Sequence, residues 1–109
     1  MTDAYCIVLC TVPDPDTGER LAAGLVEARV AACVNILPGL TSVFRWRGET
    51  QKDPEALLII KTRRDRFDDL CKVLREQHPY ELPEIIAVPL SDGLPAYLRW
   101  IDQNLEPSS

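Results

Sequence analysis

The sequence predicts an α+β fold whose elements follow one another in the order βαββαβα. Two observations support this prediction. Apolar runs rich in β-branched residues recur at residues 5–12, 56–62 and 85–90, each bounded by proline, glycine or polar residues. Elsewhere, apolar residues recur at helical spacing in three segments. A length of 109 residues suits one hydrophobic core, so we expect a single domain over residues 1–109, with a flexible tail at 106–109.

The first half of the chain is predicted to form a strand, a helix and the first arm of a hairpin. Residues 5–12 are apolar throughout, which is typical of a strand buried on both faces. Asp16 is placed to cap the following helix, and Glu19 is placed to complete a capping box. Strand-forming residues then dominate from Cys33 to Arg47, where Pro38-Gly39 indicates a bulge.

The second half of the chain is predicted to complete the hairpin and add a second crossover. A polar segment at 47–54 is expected to turn the chain into the apolar strand at 56–62. Asp65 is placed to cap a helix that ends before Pro79, because the residue preceding a proline disfavours the helical conformation. A short strand and a helix that begins near Pro95 complete the pattern.

Four strands and two crossover helices form a ferredoxin-like sandwich, here with one helix added at the C-terminus. The right-handed crossover rule places both crossover helices on one face of the sheet. The other face is left bare, and the added helix is large enough to cover only part of it. The hairpin is also long, with Trp46 near its protruding end. Both features predict oligomerisation, unless Trp46 packs back onto its own subunit.

Composition narrows the possible functions. The chain carries 17 acidic and 12 basic residues, so we expect no binding to nucleic-acid phosphates. No apolar run approaches the roughly 18 residues that membrane insertion requires. The first residues lack a basic and apolar leader, so we expect a cytoplasmic protein with reduced thiols. The single His excludes a His-rich metal site or a two-His catalytic centre within one chain.

The four cysteines show neither CxxC nor zinc-ribbon spacing. Cys6 lies within the first apolar strand and Cys71 within an apolar helical stripe, so we interpret both as small buried hydrophobic residues. Cys10 and Cys33 lie at the ends of elements, beside turns. Their roles stay open at this point.

Polar and aromatic side chains are concentrated at residues 77–84, where Pro79 and Pro83 restrict the backbone. Such a segment suits a binding site, and it equally suits a linker that sets the angle between a helix and a strand. His78 fits a metal ligand, a general acid–base group or a solvated cap. Cys10 and His78 are the only candidate nucleophile–base pair, and the local sequence supplies no third group to orient them.

Several blocks of the sequence resemble the CutA divalent-cation tolerance family. In chain order they are CTVPD at 10–14, AACVNILPG at 31–39, SVFRWRGE at 42–49, LIIKT at 58–62, HPYELPEII at 78–86 and YL-x-WI at 97–101. The match runs from about residue 5 to residue 105 without a large insertion. Several distinctive blocks in the right order are far more specific than any one of them.

The resemblance implies a ferredoxin-like subunit in a tight homotrimer similar to that of PII signalling proteins, with interlocking hairpins. It implies a role in tolerance of divalent cations such as Cu(II), through metal binding or PII-like signalling, and indicates no organic cofactor. The family's suggested metal ligands correspond to Cys10, Cys33 and His78. The family also suggests a cleft between subunits, suited to a small-molecule ligand, whose positions correspond to Trp46, Lys61, Tyr80, Glu81 and Glu84.

Three functions are compatible with these features. The first is a metal-responsive or PII-like binding protein. The second is an enzyme that uses Cys10 or Tyr80 together with His78 and Glu81 in the cleft between subunits. The third is a structural trimer that anchors partner proteins. We favour the first and expect no enzymatic activity, because the sequence supplies ligands but no set of nucleophile, base and orienting group.

Overall fold

The computed structural model describes residues 4–106, in which the elements follow the predicted order. The strands are β1 (Tyr5–Val12), β2 (Cys33–Trp46), β3 (Glu49–Arg63) and β4 (Ile86–Pro89). The helices are α1 (Pro15–Glu27), α2 (Phe67–Gln77) and α3 (Pro95–Leu105), and a short 3-10 helix (Arg64–Arg66) precedes α2. Within this range, no helix is long and apolar enough to cross a membrane. The last three residues of the predicted tail lie outside the described residues.

The strands form one antiparallel sheet in the order β2-β3-β1-β4. With two crossover helices, this order confirms the predicted ferredoxin-like α+β fold. Helices α1 and α2 cover one side of the sheet, which we call the inner face. The main core lies there, and its fully buried side chains include Val8, Leu25, Leu58, Ile60 and Leu70.

The opposite side of the sheet, which we call the outer face, is only partly covered. Along β1 and the second half of β3, buried and half-buried residues alternate, so each strand presents apolar side chains to both faces. Helix α3 covers one end, where Tyr5 packs against Ile101 and Leu105. Further along, Leu37 is 52% exposed and Ile86 is 51% exposed. The predicted bare apolar face is therefore confirmed.

The hairpin turn is much shorter than the sequence predicts. Strands β2 and β3 are joined by only two residues, Arg47 (φ 52°) and Gly48 (φ 83°). Positive φ at both positions is typical of the type I′ turn, which suits the twist of paired strands. The predicted turn at 47–54 is therefore wrong over most of its length, since Glu49 to Asp53 pair with β2. These residues are polar because this end of the hairpin extends beyond the core.

The bulge predicted at Pro38-Gly39 is confirmed. The pairing register of β2 against β3 shifts between Leu37 and Leu40, and Gly39 has a φ of 80°. An extra residue in one strand of an antiparallel pair bends that strand and increases its twist. The bulge therefore separates the part of the hairpin that belongs to the core from the part that projects beyond it.

Two predicted helix caps are wrong. Asp14, not Asp16, caps α1, because its carboxylate accepts a hydrogen bond from the Thr17 amide at 2.8 Å. The adjacent proline begins the helix, where its missing N–H leaves no bond unmade. Asp65 forms no cap on α2. Its carboxylate instead pairs with Arg63 at 3.0 Å, within the short 3-10 turn that precedes α2.

Polar contacts fasten α3 to the outer face. The Arg63 guanidinium, at the end of β3, contacts the carboxylates of Asp102 at 3.2 Å and Glu106 at 3.3 Å. The Tyr5 hydroxyl donates to Asp102 at 2.7 Å, and Arg66 donates to the Leu105 carbonyl at 2.9 Å. Cationic groups at a helix C-terminus satisfy its free carbonyls and complement its dipole. These contacts hold α3 at one end of the sheet and leave the rest of the outer face open.

Candidate functional site

A groove of about 680 Å³ lies between the projecting half of the hairpin and the loop that joins α2 to β4. Strand register places Ser42 opposite Asp53 and Phe44 opposite Gln51, and these side chains form one wall. The loop supplies the other wall. We call this the acidic groove, because its lining includes four carboxylates and three aromatic rings, from Asp53, Glu55, Glu81, Glu84, Phe44, Trp46 and Tyr80.

The charge of the acidic groove is one-sided. Among its lining residues in the described part of the chain there is no Lys or Arg. The Tyr80 hydroxyl donates a hydrogen bond of 2.6 Å to Glu55, which links the loop to β3. Partial burial, this hydrogen bond and the charges of Glu55 and Asp53 raise the pKa of Tyr80 above its ordinary value. The groove therefore favours positive charge.

His78 fixes the loop to the end of β1. The ring is only 8% exposed, and its Nδ1 accepts a hydrogen bond from the Tyr80 amide at 3.1 Å. Because a backbone N–H can only donate, the ring proton is on Nε2, which donates to the Thr11 carbonyl at 2.9 Å. The rings of His78 and Tyr80 also lie 4.8 Å apart. His78 thus braces one wall of the groove, a role that differs from the three suggested by the sequence.

Cys10 and Cys33 lie on opposite faces of the sheet. Cys10 is fully buried on the inner face and is paired with Leu58, whereas Cys33 pairs with Lys61 on the outer face. Burial, with smaller contributions from the groove carboxylates Glu84 and Glu55, raises the pKa of the Cys10 thiol to about 12. A thiol binds metal as its thiolate, so Cys10 is poorly suited to that role at neutral pH.

The three suggested metal ligands do not form a site within one chain. Cys10 and Cys33 are separated by the sheet, and both ring nitrogens of His78 are already bonded to backbone groups. Over residues 4–106, no group of three or more His, Cys, Asp or Glu side chains is arranged to hold a metal ion. The residues of a single chain therefore do not fit a Cys–Cys–His metal centre, and that assignment stays a prediction for the assembled protein.

The suggested cleft residues are divided between two places. Trp46, Tyr80, Glu81 and Glu84 line the acidic groove. Lys61 lies on the outer face near α3, where its ammonium donates to the Asn35 side chain and approaches the Cys33 thiol at 3.8 Å. It is six residues from Glu55 along β3, a span of about 20 Å. Within one chain Lys61 therefore lies outside the groove.

Three important groove residues were not identified from the sequence. The sequence pattern places Asp53 in a predicted turn and indicates no role for Glu55, although both lie in β3 and face the groove. Thr11, which is 67 residues from His78 in the chain, supplies the carbonyl that accepts the His78 hydrogen bond. The alternation of Asp53 and Glu55 was the available signal, and it becomes readable only once β3 is known to begin at Glu49.

The residues suggested for an enzyme are only partly assembled. His78, Tyr80 and Glu81 share one loop, but the candidate nucleophiles Cys10 and Tyr80 both have a raised pKa. An activated nucleophile needs a lowered pKa or an adjacent free base. The ring nitrogens of His78 already bond to backbone atoms, so that base is engaged elsewhere.

Residues 6–104 match the family model described as "CutA1 divalent ion tolerance protein". The chain belongs to the CutA1 family. The resemblance found in the sequence is thereby confirmed. A divalent-cation tolerance protein CutA from Thermus thermophilus is 47% identical over 98 residues, which cover 90% of this CutA1 chain and 95% of the relative. The chloroplastic CutA 1 of Oryza sativa is 43% identical over 102 residues, which cover 94% of this chain and 58% of the longer plant protein.

Solved CutA1 structures share the fold. The crystal structure of CutA1 from Oryza sativa aligns with a TM-score of 0.92 at 42% identity, covering 98% of both chains. A CutA from Archaeoglobus fulgidus, described as periplasmic, aligns with a TM-score of 0.91 at 36% identity and covers 94% of this chain and 99% of its own. The described relatives thus include chloroplastic and periplasmic proteins, and the cytoplasmic placement of this chain remains a prediction.

Proposed function

We propose that this CutA1 family member is a homotrimeric cation-binding protein that contributes to divalent-cation tolerance without catalysing a reaction. The observation that supports this best is the acidic groove, in which four carboxylates line a cavity of about 680 Å³. No basic side chain from the described residues lines it. A concave site of this size and charge suits a cationic ligand.

Trimer formation is supported by the bare outer face. Leu37, Ile86 and Val88 are 47% to 52% exposed, although they continue an apolar surface that includes Leu57 and Ile59. Contiguous apolar surface of this kind marks an interface, and copies of one chain associate most commonly with closed symmetry. Three copies, as the family resemblance implies, would cover this surface.

PII-like signalling is supported by the position of the groove. Thr11 and Glu55 line the groove and lie on the same side of the sheet as the exposed apolar residues. A ligand held there would contact the rim of the proposed trimer interface. Binding would then change the surface that the trimer presents to a partner, because ligands shift equilibria between states that they contact differently.

Metal binding is tested most directly by calorimetry with the full chain. We expect Mn(II) and Cu(II) to bind, because carboxylate oxygens accept divalent ions, and we expect the double variant Glu81→Gln/Glu84→Gln to weaken both by about tenfold. Glu76→Gln on α2 is the matched control and leaves affinity unchanged. Full affinity in the groove variant would contradict the proposal, and a loss in Cys33→Ser alone would favour thiol ligands instead.

We also propose that the protein is cytoplasmic. All four cysteines are free thiols, and free thiols persist in reducing compartments. Cell fractionation tests this placement, since recovery together with a periplasmic or secreted marker protein would contradict it.

A further inference from the structure

We propose that the acidic groove binds a flexible organic cation that carries two or more ammonium or guanidinium groups. This inference rests on the proposed function, because it names the chemical class of the ligand in the same groove. It is supported by the walls of the cavity, the spacing of its carboxylates and the direction of its electric field.

The walls of the groove combine carboxylates with exposed aromatic and aliphatic side chains. Trp46 is 41% exposed and Phe44 is 39% exposed, while Val43 and Leu82 are 66% and 72% exposed. An organic cation can bury its methylene groups against such surfaces and place its charge over a ring. A hydrated metal ion gains nothing from these apolar walls, so their presence favours an organic ligand.

The chain itself places a cation against one of these rings. The guanidinium carbon of Arg47 lies 5.7 Å from the centroid of the Trp46 ring. This distance is within the range of a cation–π contact. Since Arg47 belongs to the exposed hairpin turn, its side chain can move aside, and a ligand can present a similar group to the Trp46 ring.

The carboxylates are spread along the groove. Asp53 and Glu55 extend from the same side of β3, two residues apart, which corresponds to about 6.6 Å along the strand. A divalent metal ion bound without its waters needs several protein oxygens converging at about 2.0–2.6 Å, whereas a hydrated ion needs only one or two carboxylates. The described residues contain no such convergent group. Amines separated by a few methylenes can instead meet successive carboxylates one by one.

The carboxylates of the groove raise the pKa of the nearby Cys10 and Tyr80 side chains, as a negative electric field should. After burial, the largest contributions that raise the pKa of Cys10 come from Glu84 and Glu55. Glu55, Asp53 and Asp14 act in the same direction on Tyr80, in addition to burial and the hydrogen bond. Because these carboxylate charges oppose the formation of an anion beside them, the groove disfavours anionic ligands and favours cations.

Calorimetric titration of the full chain with spermidine tests the inference. We expect saturable binding that weakens as salt concentration rises. Trp46→Leu should weaken binding about fivefold through loss of the ring. Glu81→Gln/Glu84→Gln should weaken it about tenfold through loss of two charges. The matched controls are Trp100→Leu and Glu76→Gln, which change an exposed ring on α3 and a surface carboxylate on α2, and both should retain affinity within about twofold.

The possible outcomes separate this inference from the proposed function. If Mn(II) binds in the groove but spermidine does not bind, the organic-cation inference is wrong and the proposed function stands. If neither cation binds, both are wrong. If spermidine binds equally well to the wild type and to both groove variants, its site lies elsewhere and the inference is overturned. Circular dichroism of each variant shows whether it has folded before its affinity is compared.

Discussion

The two faces of the sheet carry similar apolar residues but differ in how far these residues are buried. On the inner face, Val8, Leu58 and Ile60 are fully buried beneath α1 and α2. On the outer face, Ile86 and Val88 continue an apolar surface yet remain about half exposed. Burial of the inner face requires only the chain itself. Burial of the outer face requires something else, and the family resemblance implies that this is another copy of the chain.

Under the proposed trimer, folding and assembly are encoded separately in the same strands. Successive residues of β3 alternate between the two faces, so Leu58 stabilises the subunit while Leu57 is available to an interface. The acidic groove lies where the outer face meets the projecting hairpin. Its ligand would therefore be held beside the surface proposed for assembly, not within the core that holds the subunit together.

The neighbouring residues Leu58 and Leu57 provide the strongest test of this division. Leu58→Ala should lower the free energy of unfolding by about 3 kcal/mol, because it leaves a cavity in the closed core. At high protein concentration, Leu57→Ala should lower the free energy of unfolding less than Leu58→Ala does. It should also make the melting temperature depend more steeply on protein concentration, because it weakens association. Thermal melts at several concentrations measure both effects. Equal losses without a concentration effect in either variant would show that the faces are not divided.

The inner face should also respond to alkaline pH through Cys10. The folded thiol has a pKa of about 12, whereas the unfolded thiol titrates near its ordinary value of about 8.5. The contribution of this thiol to the free energy of unfolding is complete below the ordinary pKa. It is lost as the pH rises toward 12, at up to about 1.4 kcal/mol per pH unit. Urea unfolding at pH 8 to 10.5 should therefore show a shallower pH dependence for Cys10→Ala. If the free energy of unfolding falls equally with pH in the wild type and in Cys10→Ala, the raised pKa assigned to Cys10 is wrong.

The contacts that hold α3 on the outer face should give the smallest effect. Arg63→Met removes the ion pairs to Asp65, Asp102 and Glu106 while keeping much of the side-chain stem. We expect the free energy of unfolding to fall by about 1 kcal/mol, and by less at high salt, because the partner carboxylates are 36% to 67% exposed. Faster amide exchange in α3 alone should accompany it. The adjacent Arg64→Met is the control, and an equal loss there would show that the effect is not specific.

The element order of the fold could be predicted from the sequence because the apolar strands and helical stripes are strongly patterned. The polar half of β3 could not, since Glu49 to Asp53 pair with β2 beyond the core and no burial marks their alternation. The two faces of β1 were also indistinguishable, because Cys6 and Val8 alternate with Ile7 and Leu9, which are equally apolar.

The candidate site was predicted only in part. Tyr80, Glu81 and Glu84 could be found because two prolines concentrate them in one loop. The role of His78 could not, since its partner Thr11 is distant in sequence and the bond is to a backbone carbonyl. The separation of Cys10 from Cys33 depends on strand register through β3, which residue type alone does not reveal.

Sedimentation equilibrium of the wild-type protein at micromolar concentration shows whether the outer face becomes an interface between copies of this chain. If it does, we expect a species with the mass of three subunits of 12.2 kDa each. A single species of 12.2 kDa over the whole concentration range would contradict it.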